Sequence, residues 1–133
     1  MNIYDTNAND YLVTRNQYLT MALMINDVMD KCHGSAKAAG WWNKERNIPE
    51  ALCLIHSEIS EAMEGYRKDK PDEHLNDHKS VTVELADALI RIFDLAGGLK
   101  LPLGEALAEK LCYNQTRADH KLENRMAPGG KRF

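Results

Sequence analysis

Apolar residues recur at the spacing of helix turns along this chain, and no segment alternates with the period of two that a half-buried strand requires. The four prolines fall where a helix can begin or a loop can run, so they leave long helical segments uninterrupted. The pattern predicts four helices, over about 9–32, 49–67, 81–96 and 103–118. We therefore predict an all-α fold, a bundle of four main helices.

The apolar stripe of each predicted helix is expected to face the core. In the first helix the stripe comprises Tyr11, Tyr18, Leu19, Ala22, Ile25 and Met29. In the second it comprises Leu52, Ile55, Ile59, Ala62, Met63 and Tyr66, and in the third Leu85, Ala88, Leu89, Ile92, Phe93 and Ala96. In the fourth it comprises Leu107, Leu111 and Tyr113. Gly97-Gly98 is expected to end the third helix, and residues 119–133 are expected to form a loop-like tail.

Size and composition indicate one soluble domain that spans residues 1–133. An apolar fraction of 44% and a charged fraction of 28% are typical of globular proteins. The net charge of -3 argues against a general nucleic-acid or membrane-surface binder, which would carry a basic excess. No long apolar run suits a membrane span, and the first 15 residues lack the apolar core of a signal peptide. The three cysteines are widely spaced and form no C-x-x-C motif, so we expect a reduced, cytoplasmic protein.

Three acids stand three residues apart in the second helix, within the segment HSEISEAMEGYR. Successive helical residues turn by about 100°, so with Ile55 pointing inward Glu58 lies about 60° away and Glu61 about 120° away on the same flank. Glu64 lies about 180° away, on the outer face. Glu58 and Glu61 are therefore predicted to border the core, and Glu64 is not.

The third helix repeats this arrangement, with Glu84 and Asp87 three residues apart beside its apolar stripe. Antiparallel packing of the second and third helices would bring these two acids together with Glu58 and Glu61. Four carboxylates this close would need cations, and a set of oxygen ligands favours Mg²⁺ or Mn²⁺. The alternative from spacing alone is a set of solvated ion pairs with Lys or Arg. The chain has no E-x-x-H motif, and this absence argues against a di-iron helix bundle.

With these residues identified, the chain resembles the MazG-like, all-α nucleoside triphosphate pyrophosphohydrolases. Their hallmark is E-x-x-E on one helix, a spacer, and E-x-x-D on the next. Here these are Glu58-Ile-Ser-Glu61, 22 residues, and Glu84-Leu-Ala-Asp87. The segments ALCLIHSEISEAMEGYRK, VELADALIRIFDLAG, EKLCYNQTR, GWW and GGKRF are similar to a phage and bacterial branch of the family, over about residues 20–133. Two departures are Ser57, where some members carry a further acid, and the insertion ENRMAP before GGKRF.

The resemblance implies hydrolysis of a (deoxy)nucleoside triphosphate to the monophosphate and pyrophosphate. It implies that Glu58, Glu61, Glu84 and Asp87 hold two or three Mg²⁺ or Mn²⁺ ions, with Glu61 the favoured acceptor of a proton from water. Family members are dimers or dimers of dimers with active sites shared between chains, so we expect a homo-oligomer, a tetramer. Neither nucleic acid nor membrane is an expected partner, and a phage-encoded protein would act in the host cytoplasm.

Substrate groups are assigned with the same resemblance in hand. Lys110, Asn114 and Arg117 share one helix face and, with Lys131 and Arg132, are candidates to bind phosphates; a solvated face and a basic tail are the alternative. Trp42, Trp41 and His33 are candidates to bind the base, with Trp42 favoured to stack on it.

Arg91 is a candidate counter-ion for the acids, and Asp94 a contact of the sugar or of a partner subunit. A purine triphosphate, dGTP or dATP, is the favoured substrate. Two competing functions are a non-catalytic helical interaction module and a hydrolase of another phosphoanhydride. The base, the sugar, the number of metal ions and the phosphorus that water attacks stay open.

Overall fold

The computed structural model describes residues 14–131, and every regular element in that range is helical. The elements are α1 (Arg15–Ala38), α2 (Ile48–Lys68), α3 (Ser80–Gly98), α4 (Leu103–Thr116), a 3₁₀ turn (Ala118–His120) and α5 (Leu122–Met126). The all-α prediction is confirmed for these residues. Tyr11 and Arg132, both singled out from the sequence, lie outside the described range. Within that range, no helix has both the length and the apolar composition needed to cross a bilayer.

The chain divides into two compact units, and the division falls inside α1. One unit is Asp27–Leu101, which contains the second half of α1 together with α2 and α3. The other is Met1–Asn26 with Pro102–Phe133, of which residues 14–26 and 102–131 are described. Each unit is considered by itself below.

The first unit is built on an antiparallel pair of helices, α2 and α3. The side chain of Asn47 accepts a hydrogen bond from the backbone N–H of Glu50 at 3.1 Å and so caps α2, whose first turn contains Pro49. Gly65, near the end of α2, lies against Ser80 at the start of α3. An earlier residue of α2, Glu58, contacts a later residue of α3, Arg91, which gives the antiparallel direction that the metal hypothesis requires.

Small side chains form most of the buried surface of this helix pair, whereas many of the larger apolar side chains are exposed. The buried residues are Ala51, Glu58, Ala62 and Gly65 of α2 and Ser80, Ala88, Leu95 and Ala96 of α3. The prediction of burial is wrong for Leu52, Ile59, Met63, Tyr66, Leu85 and Leu89, which are all exposed. The buried side of α2 is turned by about 50° from Ile55 toward Glu58, because close approach of two helix backbones selects small side chains.

Gly65 tests this close packing directly. A Cβ atom at residue 65 would lie 2.6 Å from Ser80 Oγ and 3.1 Å from the backbone nitrogen of Val81. We expect Gly65→Ala to lower the free energy of unfolding by about 1–2 kcal/mol, because overpacking outweighs the better helix propensity of alanine. Gly34 is a matched control in α1, where an added Cβ meets nothing within 4 Å. Gly34→Ala should raise the same free energy by about 0.5–1 kcal/mol. Urea denaturation of both variants measures whether each substitution raises or lowers the free energy of unfolding. Equal effects would contradict the packing argument.

The second unit joins the first half of α1 to α4 through Asn26. Its side-chain amide donates to the Glu105 carboxylate at 3.0 Å, and its side-chain oxygen accepts from the Gly104 N–H at 3.0 Å. Gly104 is buried against the backbone carbonyl of Ala22, where a Cβ atom would clash. Asn26 therefore satisfies a backbone N–H in the first turn of α4, which has no side-chain cap of its own.

Several boundaries differ from the sequence prediction: α1 begins at Arg15 and α4 ends at Thr116, and three further differences are larger or affect the site. The segment 119–133, expected to be a loop, instead contains part of the 3₁₀ turn and α5. Arg117 donates two hydrogen bonds to the carboxylate of Asp119, and the side-chain amide of Asn124 donates one to the Ala118 carbonyl. The first helix continues to Ala38, because AKAA favours a helix, and the chain turns at Gly40 with a φ of 85°. The third helix continues through Gly97 and Gly98.

Candidate functional site

Three of the four predicted acids converge in the unit Asp27–Leu101. Glu58 of α2 and Glu84 and Asp87 of α3 each place a carboxylate oxygen within 4.8 Å of the others. The three-residue spacing puts Glu84 and Asp87 on one flank of α3, and the small residues of α2 bring Glu58 close to them. Glu58 is only 7% exposed, so burial holds its carboxylate against the other two.

Glu61, the fourth acid, lies at the edge of this group and is exposed. Its carboxyl group is close enough to Glu84 for a hydrogen bond and adds to the negative charge there. Since the group of three carboxylates does not include it, the predicted set of four is brought together only in part. Glu64 lies on the outer side and pairs with Lys68 at 2.7 Å, as its predicted direction requires.

Negative charge exceeds positive charge at these carboxylates. Burial, followed by repulsion from Glu61 and Glu58, raises the pKa of Glu84 above its ordinary value. Burial and repulsion from Glu58 also raise the pKa of Asp87, although the cation of Arg91 partly opposes this shift. A bound cation would relieve the repulsion among these carboxylates.

Arg91 supplies the one cation that bonds directly to these acids among residues 14–131. Its Nε donates a hydrogen bond to Glu58 Oε1, and the two side chains form an ion pair. Arg91 lies one turn after Asp87 on α3, so both face the same side of the helix. This position fits the counter-ion suggested by the sequence.

A cavity of about 850 Å³ adjoins the acids, and it is lined entirely by residues of the same unit. Glu58, Asp87 and Arg91 form one part of its wall. Trp41 and Trp42 form another. Its size falls within the range of small-molecule pockets, and its wall combines apolar surface with a few charged groups, as such pockets do.

Asp94 connects two of the predicted base-binding residues at this cavity. Trp42 Nε1 donates a hydrogen bond to Asp94 Oδ1 at 2.7 Å, and His33 Nδ1 lies 2.9 Å from the same oxygen. The rings of His33 and Trp42 meet edge to face, with centroids 5.0 Å apart. Arg46 lies over the Trp42 ring at 5.3 Å. Trp41, in contrast, is 67% exposed.

The glycine pair at the end of α3 makes room for this aromatic cluster. A Cβ atom on Gly97 would come within 2.6 Å of His33 Cβ, and one on Gly98 would collide with the ring of Trp42. These glycines are the last two residues of α3, two residues beyond the predicted end, and they let two side chains lie against its backbone.

The predicted phosphate-binding residues lie in the other unit. Lys110 Nζ and Arg117 Cζ both lie over the ring of Tyr113, at 4.9 and 5.8 Å. Asn114 Oδ1 is buried and has no hydrogen-bond partner, while Arg117 is paired with Asp119. Lys131 is exposed. Their common face on α4 is thus only partly available for a phosphate, since Arg117 already holds a carboxylate.

Sequence reasoning missed Arg46, which lies over Trp42, and the packing role of Gly97 and Gly98. A cation four residues after a Trp is a weak signal, and a Gly pair is ambiguous between a helix end and a close contact. Comparison with protein-family models, curated proteins and solved structures gives no match to this chain.

Proposed function

We propose that this chain hydrolyses a (deoxy)nucleoside triphosphate to the monophosphate and pyrophosphate, with a MazG-like all-α architecture. The observation that carries the proposal is the convergence of Glu58, Glu84 and Asp87 beside a cavity whose wall includes Glu58, Asp87, Trp41 and Trp42. A metal site beside an aromatic-walled pocket suits a substrate with a polyphosphate at one end and a base at the other.

The donor atoms fit a hard divalent cation. All three ligands are carboxylate oxygens within 4.8 Å of one another, and oxygen ligands suit Mg²⁺ or Mn²⁺. Burial, and after it repulsion from neighbouring carboxylates, raises the pKa values of Glu84 and Asp87, and a cation would relieve that repulsion. Bound there, the ions would neutralise the triphosphate, lower the pKa of a water molecule and stabilise the leaving pyrophosphate. With Glu61 as a further ligand, two or three ions are proposed.

The chain itself contributes a proton acceptor, a cation and an aromatic surface for the nucleobase. Glu61 is exposed next to Glu84, so it can accept the proton of the attacking water. Arg91 offsets the charge of Glu58 and faces the cavity, where it can also contact a phosphate. Trp42 lines the cavity and His33 packs edge to face against its ring, so both remain proposed contacts of the nucleobase. Lys110, Asn114, Arg117 and Lys131 remain proposed phosphate ligands, and Arg132 lies outside the described residues.

A homo-oligomer, a tetramer built as a dimer of dimers, is proposed for the active protein. Leu52, Ile59, Met63 and Tyr66 form a continuous stripe along α2 and are 47–75% exposed. Stripes of this kind mark contacts with other chains, and a second copy would cover them. Light scattering should give about four times 15.1 kDa. Ile59→Lys with Met63→Lys should reduce that mass, whereas Glu64→Gln, on the outer side of the same helix, should leave it unchanged. A monomeric wild-type chain would rule out the oligomer.

Pyrophosphate release tests the function. The eight common NTPs and dNTPs are each incubated with the protein and Mg²⁺, and with Mn²⁺ in a parallel series. Release from one or two of them, with dGTP or dATP favoured, is the expected result. No release from any nucleotide would point instead to a non-catalytic helical interaction module or to a hydrolase of another phosphoanhydride.

A further inference from the structure

We propose that Asp94 reads the base of the substrate and selects nucleotides whose base carries an exocyclic amino group. This inference rests on the proposed function and deepens it. It concerns which nucleotide enters the cavity, and it takes from the proposed function the position of the phosphates at the acids.

The position of Asp94 on α3 fits this role. Asp87, Arg91 and Asp94 are spaced by four and then three residues, so they lie on one helix face, and all three line the cavity. Asp94 is separated from Asp87 by seven residues, or about 10 Å along the helix axis. A substrate with its phosphates at Asp87 therefore reaches Asp94 with the opposite end, which is the base.

One oxygen of Asp94 is already committed to the wall of the cavity. Oδ1 accepts from Trp42 Nε1 at 2.7 Å and lies 2.9 Å from His33 Nδ1. These two contacts come from different parts of the chain and fix the plane of the carboxylate. Gly97 and Gly98 allow His33 and Trp42 to hold this position, because no Cβ atom intervenes. Such a preorganised acceptor discriminates better than a mobile one.

The other oxygen, Oδ2, accepts no hydrogen bond from the residues that the structure describes. The nearest cation to Oδ2 is Arg46 Nη1 at 3.9 Å, which is too long for a hydrogen bond, and the Arg46 guanidinium lies over the Trp42 ring instead. The Asp94 side chain is 15% exposed and belongs to the cavity wall. Oδ2 is therefore an oriented acceptor whose ion-pair partner, Arg46, lies too far away to donate a hydrogen bond to it.

A carboxylate accepts hydrogen bonds and donates none, so its preference among bases follows from their edges. Adenine, cytosine and guanine present an amino group with two N–H donors. Uracil and thymine carry a carbonyl oxygen at C4, where cytosine has its amino group, and hypoxanthine carries one at C6, where adenine has its amino group. That oxygen would face Oδ2 with like partial charge. Guanine, in contrast, carries its amino group at C2. A site that pairs with an N–H rejects the analogue that lacks it, since its own polar group is then left unpaired.

The test compares matched nucleotides that differ in this one group: dCTP with dUTP, and dATP with dITP. We expect kcat/KM for pyrophosphate release to favour the amino member of each pair by at least about tenfold. In Asp94→Asn the side-chain amide can keep one oxygen for Trp42 and turn its NH₂ toward the base. The preference should then fall to about one or reverse toward dUTP and dITP. Equal use of both members by the wild-type protein, or a ratio unchanged in Asp94→Asn, would overturn the proposal.

A binding measurement separates this inference from the proposed function. Calorimetry with dCMP and dUMP needs no turnover, and the wild-type protein should bind dCMP at least about tenfold more tightly. Pyrophosphate release without discrimination in either assay refutes the role of Asp94 alone. Discrimination in binding without pyrophosphate release refutes the proposed hydrolase activity and supports the selection of the nucleobase by Asp94. Absence of both nucleotide binding and release refutes both proposals.

Discussion

Glu58→Gln is expected to lower kcat/KM for pyrophosphate release by about a thousandfold. Glu58 is the most buried of the three converging acids, and it is the member that α2 brings to the two acids of α3. The amide keeps the volume of the side chain but removes the negative charge that would hold a cation. Metal ions contribute several kcal/mol of transition-state stabilisation, and each 1.4 kcal/mol is about a factor of ten in rate.

Glu64→Gln is the matched control for this substitution. Glu64 is on the same helix, pairs with Lys68 on the surface and is not among the three converging carboxylates. Its substitution should leave kcat/KM within about twofold, since an exposed ion pair contributes little. Thermal melts of both variants show whether the fold persists. Full activity in a folded Glu58→Gln protein would remove the acids from the reaction.

The convergence of the acids could be predicted from the sequence because it depends on local geometry. Three-residue spacing fixes Glu84 and Asp87 on one flank of α3, whatever that helix contacts. The antiparallel direction follows from the loop of 11 residues, 69–79, between α2 and α3. These two facts place Glu58 near the pair. The lesser involvement of Glu61 depends on the rotation of α2, which spacing does not determine.

The orientation of α2 about its own axis was predicted wrongly, because the apolar face of this helix is wider than the part of it that contacts α3. Taking Ile55 as the inward direction gave equal weight to Ala62 and Met63, although only the smaller permits close approach to α3. A preference for small residues where two helices pack closely would have identified Ala51, Ala62 and Gly65. Glu58 then becomes a buried residue, and its partner Arg91 follows from burial of a charge.

The aromatic part of the cavity could be predicted only as separate residues. Trp42 and His33 were candidates for the base, but their connection runs through Asp94, which is 52 residues from one and 61 from the other. No helical period relates positions this far apart. The Gly97-Gly98 pair was predicted to end α3, and its contacts with His33 and Trp42 could not be predicted because a helix end and a close contact favour the same residue type.

Divalent cations are expected to stabilise the fold, and more strongly at pH 7.5 than at pH 5. In the metal-free protein, burial and neighbouring acids raise the pKa values of Glu84 and Asp87 above their ordinary values of 4.5 and 3.8. The folded state therefore binds more protons than the unfolded state above those ordinary values. The stability that these two groups contribute is highest at low pH and falls as the pH rises toward their raised pKa values. Cations replace those protons, so their effect is larger where the carboxylates are ionised.

The size of this effect follows from mass action. Mn²⁺ or Mg²⁺ at one hundred times its Kd should add about 2.7 kcal/mol at pH 7.5, which corresponds to a rise in Tm of roughly 10 °C. Glu84→Gln should melt higher than the wild-type protein without metal at this pH, because it removes a repelled carboxylate. It should also lose most of the response to Mn²⁺, whereas Glu64→Gln retains the wild-type response. Differential scanning calorimetry of the three proteins, with and without Mn²⁺ at both pH values, measures the Tm of each protein and its change on adding Mn²⁺. An undiminished response in Glu84→Gln would mean that the stabilising ion binds elsewhere on the chain.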